Sequence, residues 1–342
     1  MNKKIFALVD YKQKFGSKHF DTPYRSGMDK MLLSKYFLQN GFEIEYVPFR
    51  DVNLRDSKWV GSTVIYTSSE DIGYHYKAYI EDIVYGLEEK GAIILPGYKF
   101  MRANNNKSFM ESLTDIYLGD SFLKTMSFGS LKDLLLKMDE IRFPVVLKPS
   151  EGASGTGVSL VSNERELIKK VKKFKDYASL KEDTKDYLRG IKHKGYQKES
   201  IYRNKFILQE LVPNLENDWK IYVFGDKFYI IKRPIFKGRG IAASGGGYDN
   251  YFYGEEAEVP EGIFDYCETI FNKLNVPHLS VDIAYANGNF YLIEFQALYF
   301  GTAGIPYSKG FFIKEKLDWT FVSENYDVEK VYADSIKWFI KK

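Results

Sequence analysis

Cysteine is almost absent. The 342 residues hold one, Cys267, which excludes an intramolecular disulfide and any zinc or iron–sulfur site built from several thiolates. Histidine is scarce too: His19, His75, His193 and His278 show no ligand spacing, so no histidine-held metal centre is expected. Neither charge dominates. Basic residues number 49 and acidic residues 46, leaving +3 and no strong field for nucleic acid or an anionic membrane. No run reaches the ~18 apolar residues of a membrane-spanning helix. The apolar start, Ile5-Phe6-Ala7-Leu8-Val9, falls short of a secretory signal, which needs about 7–15 such residues. It reads as a buried strand, and the chain as cytoplasmic. With 44% apolar and 28% charged residues the composition is ordinary for a globular protein, and the length suits two or three packed subdomains.

What is present falls into two parts. Residues 1–103 alternate strand and helix signals: strands at 5–9, 44–47, 64–66 and 92–95, helices at 27–39 and 79–89. That repetition predicts a parallel sheet covered by helices, with functional loops at the carboxyl ends of its strands, residues 10–26 and 67–77. From residue 104 the character changes. A helix with an asparagine as N-cap is expected to begin at Asn104-Asn105-Asn106-Lys107, and another at 131–139. Strands then dominate, at 145–148, 157–161, 206–212, 219–224, 227–234, 279–285 and 290–295, with helices at 164–174, 262–274 and 328–340. The polar segment 175–205 reads as an insertion, and Cys267 as a small buried hydrophobe in its helix.

The most informative stretch is Val145-Val146-Leu147-Lys148-Pro149, followed by Glu151, Gly152, Ser154, Gly155 and Gly157. A strand ends in a lysine and a glycine-rich loop leads to another strand. Glycines let backbone N–H groups approach polyphosphate oxygens, and the lysine adds a point charge. The order G-x-x-G-x-G is neither the P-loop nor the dinucleotide fingerprint. Alone, the segment reads equally well as a hairpin turn that needs glycine. Further on, Glu210-Leu211-Val212 leads out of a strand, and alternation sets Asp218 and Lys220 on one face of the next. Asp282 and Glu294 lie near the ends of adjacent strands, a hard oxygen pair suited to Mg²⁺ beside phosphates. Arg233 and Arg239 precede a glycine run, Gly245-Gly246-Gly247, suited to a mobile lid, although a solvated basic loop would look the same.

In order and spacing these segments, from about Asn104 to Thr302, resemble the ATP-grasp superfamily, in its branch of ribosomal-protein glutamate ligases and glutathione synthetases. The resemblance implies an α/β architecture: an N-terminal parallel α/β domain over 1–103, then an ATP-grasp domain over 104–342. The latter would divide into a small nucleotide-clasping subdomain, about 140–212, and a C-terminal metal-binding subdomain, about 213–342. It implies that Lys107 and Lys148 hold ATP phosphates under the 151–158 loop, with Glu151, Gly152, Ser154, Gly155 and Gly157 around the nucleotide. Glu210, Leu211 and Val212 would meet the adenine edge and Asp218 the ribose or phosphates. Asp282, Glu294 and Gln296 fall on metal-ligand positions, where most relatives carry asparagine at the last. Lys220 stands where related ligases often have arginine, and Arg233 and Arg239 where an arginine steadies the acyl phosphate.

The implied activity is an ATP-dependent ligase forming an amide from a carboxylate and an amine, with ATP and two Mg²⁺ ions as cofactors. Its substrates would be small molecules, peptides or sugar-linked acids. A small-molecule kinase, or a nucleotide-binding protein without turnover, remains the alternative. One geometric expectation is independent of family. A two-residue Asn287-Gly288 turn makes opposed residue numbers sum to 575, which puts Asp282 and Glu294 on opposite faces. The apolar pattern instead demands an even sum. A three-residue loop, Ala286-Asn287-Gly288 with Gly288 left-handed, therefore is expected, placing Ser280, Asp282 and Ala284 with Leu292, Glu294 and Gln296.

Overall fold

A computed structural model of the chain describes residues 3–18, 26–119, 123–152, 155, 157–174, 180–198, 200–235, 243 and 247–342. The first unit is a parallel sheet of four strands, β1 (Lys3–Val9), β2 (Phe42–Pro48), β3 (Thr63–Tyr66) and β4 (Ile93–Leu95), in the order β2-β1-β3-β4. Helices α1 (Lys30–Gln39) and α2 (His75–Glu89) cover its two faces, and α3 (Tyr98–Ala103) leads out. The α1 start lies beyond the expected residue 27 because the Asp29 carboxylate accepts from the N–H groups of Met31 and Leu32. Helix α2 begins at His75, so the loop after β3 is shorter than the sequence pattern suggested.

Helix α4 (Lys107–Tyr117) follows, with the Asn106 side chain accepting from Phe109 N–H as its N-cap. A small antiparallel sheet comes next, in the order β5-β8-β6-β7: β5 (Thr125–Ser130), β6 (Val145–Pro149), β7 (Ser159–Val161) and β8 (Arg203–Glu210). It begins ahead of residue 140 because β5 is one of its edges. That strand escaped the sequence reading because its alternation is short and weak: Met126 and Phe128 are its two apolar side chains and Phe128 alone is buried. Helices α5 (Leu131–Leu136) and α6 (Glu164–Val171) pack on this sheet, and the polar insertion carries a helix of its own, α7 (Leu180–Lys192).

The large sheet has seven strands, ordered β13-β12-β9-β10-β14-β15 with β11 (Phe252–Tyr253) also on β10. They are β9 (Asn217–Phe224), β10 (Lys227–Pro234), β12 (His278–Ala286), β13 (Asn289–Gln296), β14 (Phe311–Glu315) and β15 (Asp318–Val322). The last two were not foreseen, since their tight turn at Lys316-Leu317 has no glycine or asparagine to announce it. Helix α8 (Ile263–Leu274) joins α4 on one face, where Cys267 is fully buried as expected. On the other face Tyr222, Phe224, Tyr229 and Ile231 share one core with Ile5, Ala7, Val9, α1 and α10 (Val328–Lys341), so the first unit and the large sheet are packed as one body. The short α9 (Gly304–Tyr307) lies on β10.

The β12–β13 hairpin departs from the expected loop in a revealing way. The turn has two residues, Asn287 and Gly288, both with positive φ (52° and 79°), and Ala286 pairs with Asn289. Pairing sums of 575 run up to Ile283↔Leu292. A bulge at Ile293 then inserts one residue, and Asp282↔Glu294, Val281↔Phe295 and Ser280↔Gln296 sum to 576. The three-residue loop is therefore wrong, and Ala284 and Leu292 do not share a face: Leu292 joins the large core while Ala284 packs with Ile293. Asp282 and Glu294 nevertheless stand directly opposite each other.

Candidate functional site

The small sheet faces the large one across a cavity of about 850 Å³. Lys148 reaches it from β6, Lys107 from the first turn of α4, and Asp218, Lys220, Arg233, Asp282, Glu294 and Gln296 from the large sheet. Lys148 is only 6% exposed, inside a strand whose other residues are apolar, and its Nζ donates to Gln209 Oε1 at 2.6 Å. Burial lowers the Lys148 pKa, an effect that Glu294 and Glu111 offset only in part. A cation held without a direct carboxylate partner is costly, and an anionic ligand would relieve that cost.

The glycine loop is anchored to the start of α4 by several hydrogen bonds. Lys107 Nζ donates to Gly152 O at 2.6 Å, Lys107 N to Ser150 O at 2.8 Å, and Ser150 Oγ to Asn106 Oδ1 at 3.1 Å. Gly152, Gly155 and Gly157 all have positive φ, and a Cβ on Gly157 would come within 2.9 Å of the Pro149 ring. Gly152 and Gly155 line the cavity. Glu151 does not. It is exposed and lies 3.8 Å from Lys205, so the structure places it at the rim as a solvated pair. Ser154 lies outside the described residues. Glu210, Leu211 and Val212 border the cavity where β8 ends, and Glu210 N–H is already committed to Lys124 O at 2.9 Å. Beside them Leu123, Val146, Val158, Leu160 and Ile293 complete an apolar slot with Val212.

Across the large sheet the charged residues stand in register rows. Lys220 opposes Asp282, which opposes Glu294, while Asp218 opposes Arg233 one row along. Arg233 grips Asp218 with two prongs, Nε to Oδ1 at 2.7 Å and Nη2 to Oδ2 at 2.6 Å, and reaches Asp282 Oδ2 at 2.9 Å. Lys220 Nζ holds the other Asp282 oxygen at 2.8 Å. Burial disfavours the Asp282 charge, yet Arg233 and Lys220 together hold its pKa below the usual carboxylate range. Burial and Asp282 raise Asp218 against the pull of Arg233, and the two carboxylates keep the buried guanidinium firmly protonated. Arg239, the other arginine singled out in the sequence, lies outside the described residues.

Do these groups suit a divalent cation? Among the described residues no three His, Cys, Asp or Glu side chains converge on one point. The set is instead two opposed carboxylates and one amide, all hard donors. Gln296 Nε2 donates to Glu294 Oε1 at 2.8 Å, which holds both side chains on the cavity face. Ser280 Oγ, buried on the same face, has no partner among the described residues. The ammonium and guanidinium drawn to Asp282 mark a place that demands positive charge, so the residues fit such an ion.

Two participants were not recognised from sequence. For Gln209 the signal is a polar residue following buried Phe206, Ile207 and Leu208 in one strand. Glu111, four residues after Lys107 and hence on the same helical face, was equally legible. It is buried, and loss of hydration pushes its carboxyl up to about 7 despite the nearby Lys148.

No protein-family model matches the chain. Among curated proteins it is similar to the formate-dependent phosphoribosylglycinamide formyltransferase of Prochlorococcus marinus strain MIT 9515, 26% identical over 147 residues, which cover 42% of this chain and 37% of that protein. The enzyme of the same name from strain AS9601 is 34% identical over 84 residues, 24% of this chain and 21% of that protein. The matches thus span well under half the length of those relatives. Solved structures align over nearly the whole chain. D-cycloserine synthetase DcsG does so at 13% identity and TM-score 0.53, with 98% of each chain covered. The RimK domain protein ATP-grasp from Sphaerobacter thermophilus DSM 20745 gives 13% and 0.52, covering 96% of this chain and 98% of its own. D-alanine--D-alanine ligase from Bacillus anthracis gives 14% and 0.51, covering 99% and 96%.

Proposed function

We propose that this chain, which has the ATP-grasp fold, is an ATP- and Mg²⁺-dependent ligase that joins a carboxylate to an amine. The observation that carries the reading is the convergence of Lys107, Lys148, Arg233, Asp282 and Glu294 on one cavity between two sheets. In this reading residues 1–103 form the acceptor-side domain and 104–342 the ATP-grasp domain, with the clasp at about 140–212 extended by β5 and the metal-binding part at about 213–342. The adenine enters the apolar slot beside Glu210, Leu211 and Val212. Lys107 and Lys148 neutralise the phosphates, whose oxygens meet N–H groups of the glycine loop. Asp282, Glu294 and Gln296 hold the metal as one or two ions, and Asp218 acts by keeping Arg233 in place. When bound, the metal screens charge on the phosphates and polarises the γ-phosphoryl group.

A carboxylate is a poor electrophile because its leaving group would be oxide. Attack by its oxygen on the γ-phosphorus forms an acyl phosphate and releases ADP. The amine then attacks the carbonyl carbon, the C–O bond to phosphate breaks, and the amine proton leaves to water or phosphate. The protein's part is positioning and charge neutralisation, by Lys148, Lys220, Arg233 and Arg239. Substrates would approach from the carboxyl edge of the parallel sheet, where Glu70 and Asn104 line the same cavity. In this reading the chain works in the cytoplasm; no helix among its described residues is long and apolar enough to cross a membrane.

The test is a panel of carboxylate and amine pairs, including peptides and sugar-linked acids, scored by mass spectrometry with ADP and phosphate release in parallel. Amide together with ADP and phosphate supports the ligase. A stable phosphorylated product would make it a kinase, and no ADP with any pair would leave a binding protein.

A further inference from the structure

The four charges at Asp282 are arranged unequally. Arg233 is fixed by its two-pronged pair with Asp218 and gives Asp282 one further bond. Lys220, by contrast, has Asp282 as its one carboxylate partner among the described residues, at 2.8 Å, and its Nζ stands 5.6 Å from the centre of the Tyr222 ring. A lysine stem with one polar tether can swing, whereas a guanidinium held by two carboxylates cannot without breaking a buried network. Asp218, Asp282, Lys220 and Arg233 sum to zero charge. Adding a divalent ion and Glu294 makes that sum +1, with Lys107 and Lys148 on the same cavity.

We propose that Lys220 is a positioning residue that occupies Asp282 in place of the metal until a polyphosphate arrives. Metal entry requires Lys220 to leave Asp282, and the displaced ammonium needs an anion. Polyphosphate oxygens in the same cavity supply one. Metal and nucleotide therefore bind as a pair, each favouring the other, and neither reaches full affinity alone. This deepens the reading above only in requiring that nucleotide and metal share the cavity. A kinase would show the same coupling.

The experiment is a titration of the full chain with Mn²⁺, free metal being read by electron paramagnetic resonance, with and without ADP. Wild type should bind Mn²⁺ weakly alone and at least about tenfold more tightly with ADP. Lys220→Met keeps the stem and removes the charge. It should tighten Mn²⁺ binding in the absence of ADP by about tenfold and shrink the gain from ADP. The scale follows from opposed unit charges near 4 Å, discounted for solvent. Unchanged or weaker Mn²⁺ binding by Lys220→Met would overturn the proposal. So would Asp282→Asn binding Mn²⁺ as wild type does, because the ion would then lie elsewhere. Lys220→Gln, with thermal midpoints for each variant, separates a folding defect from a change at the site. Failure of the ligase reading would appear differently, as absent amide with the Mn²⁺–ADP coupling intact.

Discussion

Replacing Glu111 by glutamine should change how stability depends on pH, by an amount that burial of this side chain sets. Glu111 is 7% exposed, and lost hydration lifts its carboxyl to about 7 from an ordinary 4.5, against the pull of Lys148. Between those values the folded chain holds a proton that the unfolded chain has released. The stability this represents is complete below pH 4.5 and is lost as the pH rises to about 7. At about 1.36 kcal/mol per unit, the loss is roughly 3 kcal/mol. His278 acts with opposite sign: burial lowers its pKa to about 3 from 6.5, so the unfolded chain carries the extra proton and stability rises with pH in that window. Near the overlap the two slopes oppose each other, and the wild-type curve alone conceals both. The useful quantity is the difference between wild type and Glu111→Gln, from urea unfolding at half-unit steps. The variant should gain roughly 3 kcal/mol on wild type between pH 4.5 and 7 and stay level above. Parallel curves would refute the reasoning, since they would mean that the carboxyl titrates normally within the fold.

Lys148→Met should weaken ATP binding by one to two decades, the worth of a charge-assisted bond of about 1.5–3 kcal/mol. Its melting temperature should hardly move, because relief of a buried cation offsets the loss of the Gln209 contact; calorimetry and thermal melts measure the two effects separately. Arg239→Ala should leave affinity for an unhydrolysed ATP analogue nearly unchanged while depressing product formation. An equal fall in both would move Arg239 to the nucleotide contacts. Gly304→Ala places a Cβ 2.4 Å from the Tyr222 ring and 2.5 Å from Ile231 Cδ1, and should cost about 1–3 kcal/mol in denaturant unfolding.

Local rules of the sequence determined a good deal by themselves. Alternation placed β10 at its observed bounds and the run of three asparagines announced the start of α4, because such signals act within a few residues of chain. Asn287-Gly288 closes a two-residue turn with both positions at positive φ, where the apolar pattern of the sequence favours a three-residue loop. What the sequence left open was the reconciliation of two local demands. The turn asked for pairing sums of 575 and the apolar pattern for an even sum; the bulge at Ile293 keeps the first near the turn and gives the second beyond it. Its position depends on partners far away: Leu292 and Phe295 settle into the core under α4 and α8, while Ile293 packs over Leu123 and Val212. The charged quartet has the same origin. Asp218, Lys220, Arg233 and Asp282 meet only because β9 lies between β10 and β12, an order that no short stretch of sequence contains. Glu111 and Gln209 acquire their perturbed surroundings from the closure of one sheet over the other. Periodicity records which way a side chain faces; the charge and hydration it meets there depend on tertiary packing, because electrostatic energy in a buried cavity is set by neighbours distant in sequence.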